Sequence, residues 1–318
     1  MKAGVVDGNG IVLARLQQKV GEHAAQRTSA RVVALLAECS HRVVAMANLT
    51  MADISSIGIG SPGILDTKNG IVIAAANFTD WKNVEITKLL SKTLSKPVKL
   101  ENDANAALLA ETWVGAAKGK TDVIMVTLGT GIGGGVMVNG DIARGGSGTA
   151  GEIGHIIIKD NGRQCGCGSK GCWETYASGR GVARSAKENK GLCQAFPQQE
   201  LEAKQVFDLA DQNHPDALRV VENWAGAMSL GIIALARVID PQVVILGGGV
   251  AQNPHIIPAV VKAFDKRTWR FDMGRPSVRK AEVGNDAGLI GAAYVGRSLI
   301  TSQSLGPSES SLTHHSRM

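Results

Sequence analysis

Residues 122–145 read DVIMVTLGTGIGGGVMVNGDIARG and carry the strongest fold signal in the chain. An apolar run ends in a glycine-rich turn, and a second apolar run leads to the dipeptide Asn139-Gly140. Asn-Gly between apolar runs is typical of a tight β-hairpin turn. The stretch therefore predicts strands over Asp122–Leu128 and Gly133–Val138.

The start of the chain repeats part of this pattern. Residues 3–15, AGVVDGNGIVLAR, resemble residues 134–145, GGVMVNGDIARG, because both place an apolar strand, an Asn-Gly turn, a second apolar strand and an Arg in that order. Two halves built on one α/β plan would produce this self-similarity. In the second copy the strand over residues 122–128 and a glycine turn precede the hairpin, and the first copy has no counterpart to them.

Segments with apolar residues at helical spacing alternate with short apolar runs along the rest of the chain, which predicts an α/β fold. Helices are predicted over 28–48, 83–95, 104–117, 175–188, 201–212, 215–239, from about 254, and over 286–300, with strands over 54–60, 98–100 and 243–246. From Thr301 the composition turns to Ser, Gly, Pro and His, which predicts a disordered tail over 301–318.

Composition excludes several classes of protein. The net charge of +6 comes from Lys and Arg that are spread out, which argues against a nucleic-acid partner. The apolar runs fall short of the roughly 18 residues that a membrane span needs, so we expect no membrane partner. Of five cysteines, three lie close together, which is not a disulfide framework and indicates a reducing, cytoplasmic setting.

The glycine-rich turn contains G-x-G-x-x-G at Gly129, Gly131 and Gly134. A dinucleotide fingerprint would require a helix next, whereas a strand follows here, so we reject that interpretation. A turn of this kind can cradle a phosphate with backbone N–H groups and the Thr130 hydroxyl. The alternative is a tight hairpin without a ligand, but the glycines between Gly129 and Gly135 are more than a turn requires.

A second glycine turn follows the apolar run over 243–246, in VVILGGGVAQNP. It places Gly247 and Gly248 at the carboxyl end of a strand and before a helix, where α/β folds bind nucleotides. Turns of this type are common, so the motif alone is a weak signal.

The stretch LENDANAALLAE (100–111) places Asp103 at the start of a helix directly after a strand. One interpretation is a helix N-cap, a position that Asn and Asp both favour. A helix needs one cap, however, and Asn102-Asp103 offers two. The second carboxylate could accept a proton from a substrate hydroxyl and orient it for attack.

The most specific signal is GEIGHIIIKDNGRQCGCGSKGCWE (151–174), which contains one His and three Cys: His155, Cys165, Cys167 and Cys172. One imidazole and three thiolates form a known tetrahedral zinc set, and four protein ligands indicate a structural ion. The alternative is a chance group of free thiols. A loop braced in this way would carry Glu152 and Glu174, whose carboxylates suit the hydroxyls of a polyol.

Seven motifs, in order, resemble those of the ROK-family sugar kinases, and most of all the bacterial-type glucokinases of that family: GIGSPG, ANFTDW, LENDANAA, VTLGTGIGGG, AGEIGH, CGCGSKGCWE and VVILGGG. The resemblance implies a two-lobed, actin-like ATPase fold, made of ribonuclease-H-like lobes around an interlobe cleft, with a structural zinc loop. It also implies ATP and Mg²⁺ as cofactors, phosphate transfer to a hexose, most readily the 6-hydroxyl of glucose, and a homodimer or homotetramer.

Carried over position by position, the resemblance implies a role for each site residue. Asp103 would be the catalytic base, and the sugar would be bound by Gly63, Asn77, Asn102, Asp103, Glu152, His155 and Glu174. Zinc would be held by His155, Cys165, Cys167 and Cys172. ATP would lie against Gly129, Thr130, Gly131, Gly133, Gly134, Gly247 and Gly248.

The resemblance also divides the chain into lobes and points to one departure. The small lobe would span 1–114 and be completed by the helix over 286–300, and the large lobe would span 115–285 with its zinc loop over 155–172. Kinases of the family open with a strand and an Asp-x-Gly-Gly-Thr turn, about 10 residues that bind phosphate and Mg²⁺. We expect the chain to lack this unit, through a misassigned start, a truncated gene or a functional short form, and to leave strand edges unpaired.

Three alternatives follow for function. The first is an active hexose kinase, on glucose, on N-acetylmannosamine or on another hexose. The second is a sugar-binding relative with an impaired ATP site. A repressor of the same family is disfavoured, because the sequence contains no N-terminal helix-turn-helix pattern ahead of the first hairpin.

Overall fold

Helices and strands alternate along the computed structural model, which describes residues 1–21, 27–75, 80–267 and 275–304. The strands are β1 (Lys2–Val6), β2 (Val12–Gln17), β3 (Ile57–Ser61), β4 (Ile64–Asp66), β5 (Ile71–Ala74), β6 (Lys82–Val84), β7 (Val98–Asn102), β8 (Val123–Leu128), β9 (Ile132–Val138), β10 (Asp141–Ile142), β11 (Val243–Gly247) and β12 (Ser277–Lys280). The helices are α1 (Ser29–Met46), α2 (Ile86–Leu94), α3 (Asp103–Val114), α4 (Glu174–Ala177), α5 (Gly179–Glu188), α6 (Lys190–Ala195), α7 (Ala203–Asp211), α8 (Pro215–Ile239), α9 (Ile256–Asp265) and α10 (Ala287–Ser304).

The stretch over residues 122–145 forms the centre of a five-stranded sheet in the order β10-β9-β8-β11-β12. β8 pairs antiparallel with β9, and β9 pairs antiparallel with β10 across the predicted Asn139-Gly140 turn. β11 joins β8 and β12 in parallel register. β8 and β11 are apolar along nearly their whole length because helices cover this part of the sheet.

Helix α8 packs against this sheet and forms the core of the second half of the chain. Trp224, Met228 and Ile232 are at most 2% exposed and belong to one cluster with Val244 and Leu246 of β11. Within the described ranges, α8 alone has the length and hydropathy of a membrane-spanning helix, and half of its most apolar window is buried inside the protein. These buried side chains identify it as a core helix.

Helices α3 and α10 pack closely together and onto the parallel pair β3-β7, and two glycines make the approach possible. A Cβ atom on Gly58 of β3 would lie 1.6 Å from the carbonyl oxygen of Ala292 in α10. A Cβ atom on Gly291 of α10 would lie 1.7 Å from the carbonyl oxygen of Ala106 in α3. The C-terminal helix therefore completes the N-terminal half of the structure.

The N-terminal hairpin β1-β2 forms a sheet of its own, separate from β3-β7. Residues of both β1 and β3 line a cavity of about 1490 Å³, together with α1 and α10. Gly4 of β1 approaches Leu289 near the start of α10, whereas Gly58 of β3 approaches Ala292 further along it. Among the described residues, β1 and β3 form no ladder with each other.

Several predicted boundaries differ from the structure. The helix predicted over 83–95 begins at Ile86, because Lys82–Val84 is the strand β6. The helix predicted over 175–188 is two helices, since Ser178 is extended and its side chain caps α5 by accepting the N–H of Gly181. The predicted tail begins too early: α10 continues to Ser304, because the first helix-breaking pair is Gly306-Pro307. Residues 305–318 lie outside the described residues.

Candidate functional site

The glycine-rich strand β9 lies at the centre of the candidate site and allows close contacts on both of its faces. On one face, a Cβ atom on Gly135 would lie 2.9 Å from Oδ1 of Asn105 in α3. On the other face, a Cβ atom on Gly134 would lie 2.2 Å from Cδ1 of Ile153. Phosphate binding is therefore not the only explanation for the many glycines, because β9 also needs them for close packing.

The turn between β8 and β9 faces a cleft of about 390 Å³. Gly129 donates its N–H to the carbonyl of Gly131 at 3.1 Å. Gly179, at the start of α5, donates its N–H to the carbonyl of Gly129 at 2.9 Å and so fixes the turn. The cleft is lined by Thr127, Leu128, Gly129, Gly131, Ile132, Gly133, Glu174, Gly248 and Gly249. The glycines of the two turns carry no side chain, which leaves room at their backbone for a polyphosphate to approach.

Three of the predicted ATP residues do not line this cleft. Thr130 is exposed at the tip of the turn, whereas Gly134 and Gly247 are buried. Gly248 has a φ of +88°, and a Cβ atom there would lie 2.4 Å from the carbonyl oxygen of Leu128. That position requires glycine because the second turn crosses the first at this point.

Asp103 stands at the first position of α3 and is exposed. Asn102 is the N-cap, and its Oδ1 accepts the N–H groups of Ala104 at 2.9 Å and Asn105 at 3.3 Å. Oδ1 of Asp103 also accepts the N–H of Ala104 at 2.9 Å, but Asn102 already caps that group and Asn105, so the second oxygen of Asp103 is left for another role. The cap uses Oδ1 of Asn102, and the amide Nδ2 takes no part in it.

One of the predicted sugar ligands, Gly63, lies on the turn that follows β3. Gly63 has a φ of +107°, and a Cβ atom there would lie 2.4 Å from the carbonyl oxygen of Ala74, so the turn requires glycine. Asn77 lies outside the described residues.

The other predicted sugar ligands surround the imidazole of His155. Its Nε2 lies 3.9 Å from a carboxylate oxygen of Glu152, and its Nδ1 lies 3.9 Å from Oε1 of Glu174. Glu152 is 69% exposed at its side chain, whereas Glu174 is 25% exposed and borders the cleft. Glu174 also accepts the backbone N–H of Ile132 at 3.4 Å. The structure therefore joins the His155 cluster to the glycine turn through Glu174.

The predicted metal set converges. The ligand atoms of His155, Cys165, Cys167 and Cys172 all lie within 4.8 Å of one another. Sγ of Cys165 lies 3.6 Å from Nδ1 of His155, and the sulfur atoms of Cys167 and Cys172 lie 3.6 Å apart. Zn–S bonds of about 2.3 Å in a tetrahedron place two sulfurs about 3.8 Å apart, so these residues fit a zinc ion.

The three thiols differ in acidity. The backbone N–H of Ser169 and the neighbouring Cys165 lower the pKa of Cys167 to about 7, so part of this thiol is ionised at neutral pH. Burial raises the pKa of Cys165 to about 12 and also raises the pKa of Cys172. A bound cation would reverse the two upward shifts, because metal ligation stabilises the thiolate.

One contact near the site went unnoticed in the sequence, although the motif LENDANAA contains one of its residues. Glu101 is 1% exposed and pairs with Arg144, which lies between β10 and the turn that carries Glu152. A carboxylate next to Asn102 in a buried strand was the available signal, since a buried charge needs a partner.

The chain matches the ROK family over residues 1–298. It is 38% identical to a glucokinase of Thermotoga maritima over 248 residues, which are 75% of this chain and 78% of that protein. The crystal structure of a ROK hexokinase from Thermus thermophilus has a TM-score of 0.79 and 33% identity, with 95% of this chain and 100% of that chain covered.

A second solved structure is a ROK glucokinase from Streptomyces griseus in complex with glucose and AMPPNP. It has a TM-score of 0.73 and 34% identity, and the alignment covers 93% of this chain and 95% of that chain. These likenesses confirm the predicted actin-like α/β fold and extend over nearly the whole chain. On the sequence match and the shared fold together, the protein belongs to the ROK family.

Proposed function

We propose that this protein is a hexose kinase that transfers a phosphoryl group from MgATP to glucose. The observation that carries the proposal is that Asp103, exposed at the start of α3, precedes Ala104, whose Cβ lies 4.0 Å from a Cβ atom built on Gly133 in the wall of the glycine-lined cleft. Phosphoryl transfer depends mainly on positioning and charge stabilisation, and this arrangement offers a base for the hydroxyl and backbone donors for the phosphates.

Asp103 is proposed to accept the proton of the attacking sugar hydroxyl. Its carboxylate lies at the N-terminal end of α3, where the backbone N–H groups and the helix dipole favour the negative charge. Asn102, Glu152, His155 and Glu174 would bind other hydroxyls of the sugar. Two carboxylates and an imidazole suit several hydroxyl groups, because ionised acceptors form the shorter and stronger hydrogen bonds.

Zinc is proposed as a structural cofactor of the His155 loop. His155, Cys165, Cys167 and Cys172 would hold it, and their mutual distances support the assignment. When bound, zinc supplies a fixed tetrahedral link among the parts of this loop. His155 would use Nδ1 for the metal, which leaves Nε2 on the side of Glu152.

The likeness to a glucokinase in complex with glucose favours glucose as substrate. N-acetylmannosamine and other hexoses stay open, because the residues named above bind hydroxyls that these sugars share. The second candidate function is a sugar-binding protein with an impaired ATP site. The observation behind it is that β1 and β3 line a cavity and belong to separate sheets. We further propose a cytoplasmic homodimer or homotetramer with sugar and ATP as its small-molecule partners.

A coupled assay of ADP release, run over a panel of hexoses, tests the proposal directly. We expect turnover with glucose and its loss, by at least about 10³-fold, in Asp103→Asn, with the calorimetric affinity for glucose within a few-fold of wild type. Asp141→Asn, a substitution at an exposed residue in β10, serves as the control. Glucose binding without turnover would support the second candidate, and Asp103→Asn with wild-type turnover would exclude the base assignment.

A further inference from the structure

Glu101 places a carboxylate in the protein interior immediately before the proposed catalytic base. It is the penultimate residue of β7, and 1% of its surface is exposed. A buried carboxylate is costly unless hydrogen bonds and an opposite charge compensate it. The partners of Glu101 therefore show what stabilises the corner at which β7 ends with Asn102 and α3 begins with Asp103.

Both oxygens of Glu101 are used. Oε1 accepts the backbone N–H of Asn102 at 3.0 Å and the side-chain amide of Asn105 at 3.0 Å. Oε2 accepts a hydrogen bond from the guanidinium of Arg144. One carboxylate thus fixes the last residue of β7 and the first turn of α3, on either side of Asp103.

Arg144 belongs to the segment that leads from β10 to the His155 turn. Its carbonyl accepts the N–H of Ala150 at 3.1 Å, and its guanidinium also donates to the carbonyl of Ile142 at 3.3 Å. Glu152 and His155 follow shortly after. The guanidinium therefore joins the corner that presents Asp103 to the segment that presents Glu152.

We propose that the Glu101–Arg144 pair is a positioning device that sets the place of Asp103 relative to the Glu152–His155 turn. The inference rests on the proposed function, because it assigns both sides to one sugar. Neither residue of the pair needs to touch the sugar. The pair holds two groups of ligands in a fixed relation, and a reaction that depends on near-attack geometry is sensitive to displacements of about 1 Å.

Glu111 offers a matched control for the alternative that the pair only stabilises the fold. Glu111 lies on the same helix as Asp103, and like Glu101 it is buried. Its carboxylate accepts the N–H groups of Ala116 at 2.8 Å, Glu282 at 3.1 Å and Val283 at 2.9 Å, far from the corner at Asn102. Glu111→Gln should weaken the fold without altering the site.

The experiment compares Glu101→Gln, Arg144→Gln, Arg144→Lys and Glu111→Gln, each verified as folded by circular dichroism at the assay temperature. We expect Glu101→Gln and Arg144→Gln to lower kcat by about 10- to 100-fold and to raise KM for glucose, with KM for ATP within about twofold of wild type. Arg144→Lys keeps the charge and should restore part of kcat. Glu111→Gln should lower Tm and leave all three constants within about twofold of wild type.

Hydrogen exchange separates failure of this inference from failure of the proposed function. Faster exchange in a peptide that covers residues 100–106, in Glu101→Gln and Arg144→Gln but not in Glu111→Gln, is expected even if the wild type shows no turnover. Glucose affinity by calorimetry then replaces KM and should fall in the same two variants. Folded Glu101→Gln with unchanged exchange, or with unchanged kinetics in an active wild type, overturns the positioning role.

Discussion

Sγ of Cys165 lies 3.2 Å from Oε1 of Glu174, and the second oxygen of that carboxylate lies 3.4 Å from the backbone nitrogen of Ile132. Glu174 therefore contacts the thiol cluster on one side and the glycine turn on the other. A displacement of the thiol loop would move a carboxylate that borders the cleft. Glu174 and His155 therefore both link the proposed metal set to the candidate site.

Metal removal should consequently impair both stability and sugar binding. We expect the purified protein to contain about one zinc per chain, and Cys167→Ser to weaken zinc affinity by about 10- to 100-fold and lower Tm. Atomic absorption, a thermal melt and glucose calorimetry, each with and without a chelator, measure these effects. Cys193→Ser is the control, because Cys193 is exposed and donates to backbone carbonyls of α5. Unchanged glucose affinity in metal-free protein would contradict the coupling.

In the β8–β9 hairpin, a glycine packed against a neighbour and a glycine open to the cleft should respond differently to substitution by alanine. Gly134→Ala places a Cβ atom 2.2 Å from Ile153, so we expect a loss of about 1–3 kcal/mol in stability and a higher KM for the sugar, because Ile153 follows Glu152. Gly129→Ala meets no described atom within 4 Å and lies on the cleft, so Tm should hold while KM for ATP rises about tenfold. Steady-state kinetics and thermal melts decide. The same constant affected in both variants would argue against two separate roles.

Much of this fold follows from sequence pattern, and the successes share a physical cause. α8 has the predicted bounds, Pro215 to Ile239. Proline at the first helical position marks its start, and the last residue of the apolar stripe marks its end. The strands β8 and β9 follow from apolar runs around glycines. Where local preference and tertiary packing agree, the pattern of a single sequence is sufficient to predict the element.

The elements that the sequence did not predict are short or depend on distant partners. β4 and β6 have three residues each, and β12 exists through its parallel pairing with β11. The proposed catalytic motif around Asp103 could be found from residue types, but the link from Glu101 in this motif to Arg144 spans 43 positions and has no local signature. The glycines of the β8–β9 hairpin predict a phosphate site, which stays a prediction, whereas their packing on α3 and Ile153 is visible only in three dimensions.

The ion pair between Arg163 and Glu188 should make stability depend on pH in the acid range. Burial acts to raise the pKa of Glu188, but hydrogen bonds from Arg163 and Arg184 outweigh it and hold that pKa below its usual value. A depressed pKa means that the pair stabilises the fold above the unfolded pKa of about 4.3, and that this contribution is lost as pH falls through the folded value. Arg163 also bonds Thr175 at 2.8 Å, so the pair supports the thiol loop.

Thermal melts of wild type and Glu188→Gln from pH 7 to pH 3 test this dependence. The Tm difference should be largest near neutral pH and should shrink as pH falls through the lowered pKa of folded Glu188. Glu200→Gln is the control, since Glu200 is 85% exposed and its pair with Lys187 is screened by water and salt. A Tm difference of the same size from pH 7 to pH 3 would indicate a packing effect of the substitution instead.

The contact of α10 with β3 and α3 should tolerate no side chain at its two closest points. Gly58→Ala would bring a Cβ atom to 1.6 Å from the carbonyl oxygen of Ala292, and Gly291→Ala to 1.7 Å from that of Ala106. Backbone cannot yield as a flexible side chain does, so the helix must move away. We expect each variant to lose about 3 kcal/mol or more, measured by urea denaturation, or to be recovered only from inclusion bodies.

Gly288→Ala separates this close approach from any general effect of alanine in α10. Position 288 lies on the same helix, and a Cβ atom there would meet no described atom within 4 Å. Alanine favours helix over glycine by about 1 kcal/mol, so this variant should be as stable as wild type or more so. If Gly58→Ala and Gly291→Ala unfold at the same urea concentration as Gly288→Ala, then α10 does not complete the N-terminal half by direct backbone contact.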